Sequence, residues 1–556
     1  MTIDVTSLSN RRATERWNRV AVGDILERLT WSVPDKVGFI GWEGAYAYPE
    51  HQRVTYAQAD RIANRVANAL LEAGLTNKAR VLLVCENSVE AYLTKLGIAK
   101  AGLVIAPINP SLAADVIEEL IKRTEPSLTI IDAEVWPKLA PIFERVGVKV
   151  AVTIPIGGDA ALVPGSRSFA DFIASAAETE PEVEIHGDDI VELQFTSGTT
   201  AMPKAVMFSH VNTYMAASGF ALSMSRGLRC EADMRLCSFL PLIYHIGGQV
   251  FGLPALLCGG TLVIGRRSNP DAIVQAISRE GVTALWSGSP TMVGTLAESL
   301  VKHRGAFDTR SLKVIVYGWG AISPGTLATL RERCGDDFVA LEIFGQTESV
   351  ACHRFWPHKW EEIFRRHCPE TNYVGIPSPL LASQVMDAEG RSLHGQPGVV
   401  GEAVYRSPVV MQGYYKDEAG TRAAFAHGWF HSGDSCVYDD QGLRIMVDRS
   451  KDIVKTGGEN VSSQRVEAVL ALHPHVARVA IVGLPDARWG EAITAAIILR
   501  PTDTPPTEAA LIAYARERLA GFETPKKIVF VDSYPETVGG KIMKHVLRVQ
   551  LAKSLG

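Results

Sequence analysis

The sequence predicts an α/β protein: a large N-terminal domain of two parallel α/β lobes plus a β-rich subdomain, then a small α+β C-terminal domain. Three observations carry this. Short apolar runs alternate with helix-patterned segments over residues 55–154, and the alternation resumes over 235–344. Beyond Pro377 the runs become short with a two-residue period. Beyond Asp448 the order becomes helix, strand, strand, helix, strand. Continuous apolar strands need cover on both faces, which helices between them provide. At 556 residues the chain also exceeds what one core organises.

Taken in order, residues 1–50 read as a lead-in with a short helix at 22–29. Thr55 opens a helix to about Ala73, with Ile62, Val66, Ala69, Leu70 and Leu71 at three- and four-residue steps and Gly74 as its stop. Strands follow at 81–84, 103–107, 128–131 and 148–154, with helices at 88–99 (capped by Ser88), 111–123 and 135–145. A Gly-, Pro- and Glu-rich loop, 155–189, carries a helical insert at 169–177. Strands at 190–195 and 205–208 bracket a polar loop. Further strands fit 235–240, 261–264, 283–286, 314–317 and 339–344, with helices at 270–280 and 290–303. The uncharged run 247–265 contains Gln249, Pro254 and Gly259-Gly260, so it reads as a buried helix, a turn and a strand rather than a membrane span. A strand fits 399–405. The last unit places helices at 463–472 and 508–519 and strands at 476–482, 494–499 and 528–531.

Composition sets limits. With 47% hydrophobic and 21% charged residues the chain is of soluble globular type. A net charge of −5 offers no basic field for nucleic acid or an anionic membrane. The first 30 residues hold Arg11, Arg12, Arg16 and Arg19 but no continuous apolar core, so a secretory signal is not expected, and Lys553-Ser554-Leu555-Gly556 is no peroxisomal ending. The eight cysteines are scattered without a C-x-x-C, which suits a reducing cytoplasm. Cys352-His353, His358 and His367-Cys368 fit no structural zinc spacing.

The chemistry begins in the loop after Phe195. Thr196, Ser197, Thr199 and Thr200 bring four hydroxyls, Gly198 lets backbone N–H groups turn inward, and Lys204 adds a point positive charge. A polyphosphate needs these groups. The same composition also fits a surface turn. Lys204 is followed by Ala205, so this is not the G-x-x-x-x-G-K-[ST] loop.

The stretch resembles the phosphate-binding signature of the adenylate-forming superfamily, which includes acyl-CoA synthetases, luciferases and peptide-synthetase adenylation domains; Ala201 stands where that family usually has Gly. Further motifs follow in the family's order. Phe344-Gly345-Gln346-Thr347-Glu348 is similar to Tyr-Gly-x-Thr-Glu, which implies adenine stacking by Phe344 and a Mg²⁺ ligand in Glu348, with Thr196 as a second. Ser432-Gly433-Asp434 resembles Thr-Gly-Asp, which makes Asp434 the acceptor of both ribose hydroxyls, and Arg449 resembles a second nucleotide contact. The resemblance makes Lys451 the hinge of a mobile small domain and assigns Gly457, Gly458 and Glu459 to the CoA tunnel. It identifies Lys541, in Gly539-Gly540-Lys541, as the catalytic lysine. Pro241-Leu242-Ile243-Tyr244-His245 matches Pro-x-x-x-His at the acyl and CoA channel, and Trp319-Gly320-Ala321 corresponds to a segment bordering adenine and acyl pocket. Trp319 is a bulky departure: pointing inward it restricts the acid, pointing outward it is core.

The resemblance spans about Val54 to Lys544 and implies three units: 1–447 for ATP and acid, a hinge at 448–452, and 453–556 carrying the lysine. It implies an ATP-dependent carboxylic acid–CoA ligase using ATP, Mg²⁺ and coenzyme A, with Lys541, Thr347, Glu348 and His245 as catalytic residues. The ATP site is then Thr196, Ser197, Gly198, Thr199, Thr200, Lys204, Gly320, Ala321, Phe344, Gly345, Gln346, Thr347, Asp434, Arg449 and Lys541. The acyl pocket is Tyr244, His245, Trp319, Gly320 and Gly345. The alternative is a stand-alone enzyme loading a carrier protein. A luciferase-like oxygenase has no support in the residues, and a regulatory nucleotide binder would need a broken motif. A homodimer is left open. The identity of the acid is not readable, although Tyr244, Trp286 and Trp319 favour a short, medium or ring-bearing one.

Overall fold

A computed structural model of the chain describes residues 19–157, 161–196, 203–225, 233–449, 451–537 and 540–555. The first lobe is built on a sheet whose strands run in the order Gly413–Tyr414, Ala205–Ser209, Ile190–Phe195, Val104–Pro107, Arg80–Val84, Leu128–Asp132, Val152–Ile154 and Arg167–Ser168. Its middle strands pair in parallel, as their apolar runs require, while Ile190–Phe195 and Ala205–Ser209 form an antiparallel pair. Helices start where local chemistry dictates. Thr55 and Gln58 make a reciprocal capping box at the helix Tyr56–Glu72, and Ser88 accepts the Ala91 N–H at the head of Val89–Lys100. The uncharged run folds into a π-turn Gly248–Gly252, a short helix Leu253–Leu257 and the strand Thr261–Ile264. No described helix is long and apolar enough to cross a membrane.

The second sheet differs from the expected lobe in two ways. The β-rich segment continues this lobe's sheet: the antiparallel strands Val350–Phe355 and Asn372–Pro377 link its parallel part to Arg444–Arg449, Trp429–Tyr438, Gly401–Arg406 and Ala382–Met386. Gly375, at φ +72°, allows this turn in direction, and a Cβ there would strike the Arg354 carbonyl. The lead-in also supplies a strand, Val37–Gly41, which pairs in parallel with Thr261–Ile264 and not with the first lobe. A large apolar core spans both lobes, from Phe39 and Tyr92 to Phe251 and Val316.

The C-terminal domain has its own sheet, with Val476–Asp486 and Gly490–Leu499 at the centre, and its own core around Val466, Ile481, Ile493 and Leu511. A helix unforeseen in the sequence, Lys544–Leu555, closes it by burying Leu547 and Leu551.

Candidate active site

The polar loop is closed at its base. The Thr196 N–H donates to the Lys204 carbonyl and the Lys204 N–H donates to the Thr196 hydroxyl, each at 3.0 Å. Ser197, Gly198, Thr199, Thr200 and Ala201 lie outside the described residues. Lys204 projects its ammonium over the ring of Tyr414, 4.1 Å from the centroid. Tyr414 is brought there by pairing opposite Val206, and its hydroxyl donates to Glu348 Oε1 at 2.9 Å. Glu348 sits beside Thr347 in the turn joining Val339–Gln346 to Val350–Phe355, with its carbonyl held by the Met411 N–H. So one ring links the loop lysine to the carboxylate expected to hold metal. Among the described residues no three His, Cys, Asp or Glu side chains cluster as a metal site. One carboxylate with an oxygen to spare fits Mg²⁺, which binds through few protein ligands plus phosphate and water.

The next part is a buried acid. Asp434 and Arg449 lie opposite each other on paired strands. The turn before Asp434 is fixed by Gly433 at φ +71°, whose N–H donates to Glu402, and by the Ser432 hydroxyl donating to the Ala403 carbonyl. Asp434 is 1% exposed, with Arg449 Nε 3.1 Å from Oδ1. That contact lacks hydrogen-bond alignment, so among the described residues neither Asp434 oxygen accepts a hydrogen bond. Burial raises the Asp434 carboxyl above its ordinary range, against the pull of Arg449 and Lys541. Two buried acceptor oxygens with no hydrogen-bond donor among the described residues suit a hydroxyl-bearing ligand.

Lys541 arrives from the small domain. Thr537 N–H donates to the Lys541 carbonyl at 2.9 Å, Lys541 N–H donates to the Thr537 hydroxyl at 3.2 Å, and Gly540 holds φ +79°. A Cβ on Gly540 would lie 3.1 Å from the hydroxyl of Ser289, which caps the large-domain helix Pro290–Lys302. Burial first, then Arg449, pushes the Lys541 amine down to about 7, with Asp434 opposing. Burial also lowers Lys451. A second set of contacts fastens the same domain. Asp448 Oδ2 accepts from the N–H and hydroxyl of Ser463, at 2.7 and 2.6 Å. Lys544 then bonds the Ser463 hydroxyl at 2.5 Å and pairs with Glu467 at 2.7 Å.

A cavity of about 560 Å³ takes in the buried acid and the lysine, while Thr196, Lys204 and Tyr414 are not among its lining residues. Asp434, Arg449 and Lys541 line one part; Phe344, Gly345, Gly320 and Ala321 line the middle; His245, Trp319, Trp286 and Phe251 line the other end. Trp286 stacks on Phe251 at 4.4 Å and meets Trp319 at 5.6 Å, so the rings form one wall. Trp319 therefore faces inward, and it does so from a left-handed backbone, φ +68°. His245 is held neutral, its pKa pushed down to about 4 by burial and by Lys95. Lys95 in turn is paired with Glu192 at 2.5 Å and steadies the segment by donating to the Ile243 carbonyl.

Not every expected residue reaches the cavity. Tyr244 turns away, its hydroxyl donating to Glu86 at 2.9 Å. Gln346, Thr347, Glu348 and Lys451 are not among the lining residues. Gly457, Gly458 and Glu459 form an exposed hairpin turn outside it, with Gly457 at φ +60° and Gly458 at φ +88°. Sequence reasoning missed Tyr414 and the set Asp448, Ser463 and Glu467. A Gly-Tyr pair gives no sign of which distant strand it joins, and a Ser at a helix start reads as an ordinary cap.

Comparison with known proteins covers nearly the whole chain. Residues 32–415 match the model described as AMP-binding enzyme, and 465–541 match AMP-binding enzyme C-terminal domain. The chain is 30% identical to the Long-chain-fatty-acid–CoA ligase FadD13 of Mycobacterium tuberculosis over 517 residues, 92% of this chain and 96% of that protein. It is 31% identical to the Fatty acid–[acyl-carrier-protein] ligase ScoC of Streptomyces coeruleorubidus, over 90% of this chain and 92% of that one. The crystal structure of ATP-bound MatB from Rhodopseudomonas palustris superposes with a TM-score of 0.81 at 28% identity, covering 96% of this chain and all, 100%, of that one.

Proposed function

The chain belongs to the AMP-binding enzyme family, and from that premise we propose that it is an ATP-dependent carboxylic acid–CoA ligase. It forms acyl-AMP with release of pyrophosphate, then acyl-CoA with release of AMP. The observation that carries the reading is Asp434: a buried carboxylate whose two oxygens accept no hydrogen bond among the described residues, lining the same part of the cavity as a lysine of the other domain.

The acid's carboxylate is ionised at neutral pH and attacks the α-phosphorus without a general base. The new C–O–P bond forms as the bond to pyrophosphate breaks. Asp434 accepts the ribose hydroxyls and Phe344 lies against the base. Lys541 meets the charge that builds on the α-phosphate oxygens, a role for a fixed cation in a site with little water. Its depressed pKa belongs to the free enzyme; incoming phosphate charge favours the protonated amine. The 196–204 loop, with Lys204, takes the leaving pyrophosphate. Magnesium, when bound, neutralises phosphate charge, with Glu348 and then Thr196 as the residues to hold it. His245, neutral and packed near Trp319, orients the acid and transfers no proton. The hinge is 448–452, between units 1–447 and 453–556. Rotation about Lys451 takes Lys541 out and brings Gly457, Gly458 and Glu459 to the tunnel, where the CoA thiol displaces AMP.

The ring wall suits a compact or ring-bearing acid. The cytoplasm suits the buried free thiols Cys85, Cys237, Cys334 and Cys436. Loading of a carrier protein is the second reading, favoured by the likeness to ScoC. Pyrophosphate release with ATP and a panel of acids tests the first step, and thioester yield with CoA against a carrier protein separates the acceptors. No release with any acid would overturn the reading.

A further inference from the structure

Behind the ring wall lies a cation that pairs with no anion among the described residues. Arg354 is on the strand Val350–Phe355, opposite Ile343, and is 6% exposed. One of its guanidinium nitrogens donates to the Gly219 carbonyl at 3.2 Å, and the group lies over the Phe220 ring at 5.6 Å. Among the described residues its Nε–H has no hydrogen-bond partner, and no neighbouring charge acts on it. Burial alone lowers its pKa to about 10, so it stays charged at neutral pH. Buried charges are ordinarily paired, because a carbonyl and a ring face do not neutralise them.

Its position suggests what completes the pair. Arg354 borders a small cavity of about 20 Å³, together with Phe220, Val250 and Val350. Val250 and Val350 also line the main cavity, so these two side chains stand between the two cavities. The ring wall points the same way: Phe220 meets Phe251 edge-on at 5.1 Å, and Phe251 stacks on Trp286. A row of rings thus runs from Trp319, beside His245, to the guanidinium.

We propose that Arg354 determines specificity by pairing with a second carboxylate at the far end of the acid, so that the preferred substrate is a short-chain or ring-bearing dicarboxylic acid. This rests on the ligase reading above and names its substrate class. One carboxylate reacts near Gly345 and His245 while the other lies beyond Val250 and Val350, forming no covalent bond and exchanging no proton.

The test is pyrophosphate release with matched acids of equal length carrying a methyl, a hydroxymethyl or a carboxylate at the far end. Wild type, Arg354→Met and Arg354→Lys are compared. The wild type should favour the diacid. Arg354→Met should lower its kcat/KM about 10- to 100-fold while preserving or raising that of the monoacid, since a hydrogen-bonded charge is lost only to the diacid. Arg354→Lys should keep part of the preference. Because Arg354→Met could also fold poorly, diacid-induced stabilisation of wild type against heat, without ATP, gives an independent readout and should exceed that by the monoacid. An unchanged diacid-to-monoacid ratio in an active Arg354→Met, or a wild-type preference for the methyl or hydroxymethyl acid, overturns the proposal and leaves the ligase reading intact. The absence of release with every acid overturns both.

Discussion

Replacing Lys541 by Met should make the protein both inactive in its first step and more stable. The amine's pKa falls from 10.5 unfolded to about 7 in the folded chain, chiefly through burial and Arg449. Between those values the unfolded state binds more protons, so stability rises with pH across the window, and the full penalty is present below about 7. The whole shift corresponds to about 5 kcal/mol. Lys541 keeps part of its surface in water, so a gain of about 1–3 kcal/mol is expected for Lys541→Met near pH 7. The gain should shrink as pH approaches 10.5. Thermal unfolding of wild type and variant at pH 7 and pH 9.5, without ATP, reads the difference. Adenylation followed by pyrophosphate release should fall about 100- to 1,000-fold, the scale for losing one preorganised charge donor. Thioester formation from supplied acyl-AMP should survive. Equal loss of both half-reactions would refute the assignment, and a stability change independent of pH would refute its electrostatic basis.

Other changes have distinct signatures. Asp434→Ala should raise the KM for ATP about 10-fold or more, by removing two acceptors for ribose hydroxyls; an unchanged KM would reduce Asp434 to a turn residue. Trp319→Gly should relieve a left-handed backbone at φ +68° and open the ring wall, so kcat/KM should rise for longer acids and Tm should not fall. An unaltered chain-length profile would show that Trp319 does not limit the acid. Asp448→Ala strands Ser463 and part of the Lys544–Glu467 pair and should slow adenylation several-fold more than thioester formation, measured as separate half-reactions; equal slowing would mean these contacts persist in both domain positions.

Most of the framework was legible because its signals are local. Thr55, Ser88 and Ser289 cap helices through their own hydroxyls. The apolar runs at 81–84, 190–195 and 314–317 became strands of the two sheets. What escaped depended on partners far along the chain. Val37–Gly41 is too short to declare itself until Thr261–Ile264 is beside it. The helix His210–Ser225 is apolar nearly all round, so no periodicity marked it. Asp434 and Lys541, which line one cavity, were visible through motif order. Tyr414, Arg354 and the inward face of Trp319 were not, since each takes its meaning from a strand pairing or a ring contact that one sequence does not display.

The strand Val37–Gly41 also has a consequence for how the protein is made. It leaves the ribosome long before Thr261–Ile264, its parallel neighbour, and at ordinary synthesis rates the gap is roughly ten to forty seconds. The first lobe waits longer still, because its edge strand Gly413–Tyr414 is made after most of the second. Neither sheet can be completed as the chain emerges, so an open apolar edge near the N-terminus must be shielded while synthesis continues. Removing that strand should therefore lower soluble yield far more than its five residues of lost packing would suggest.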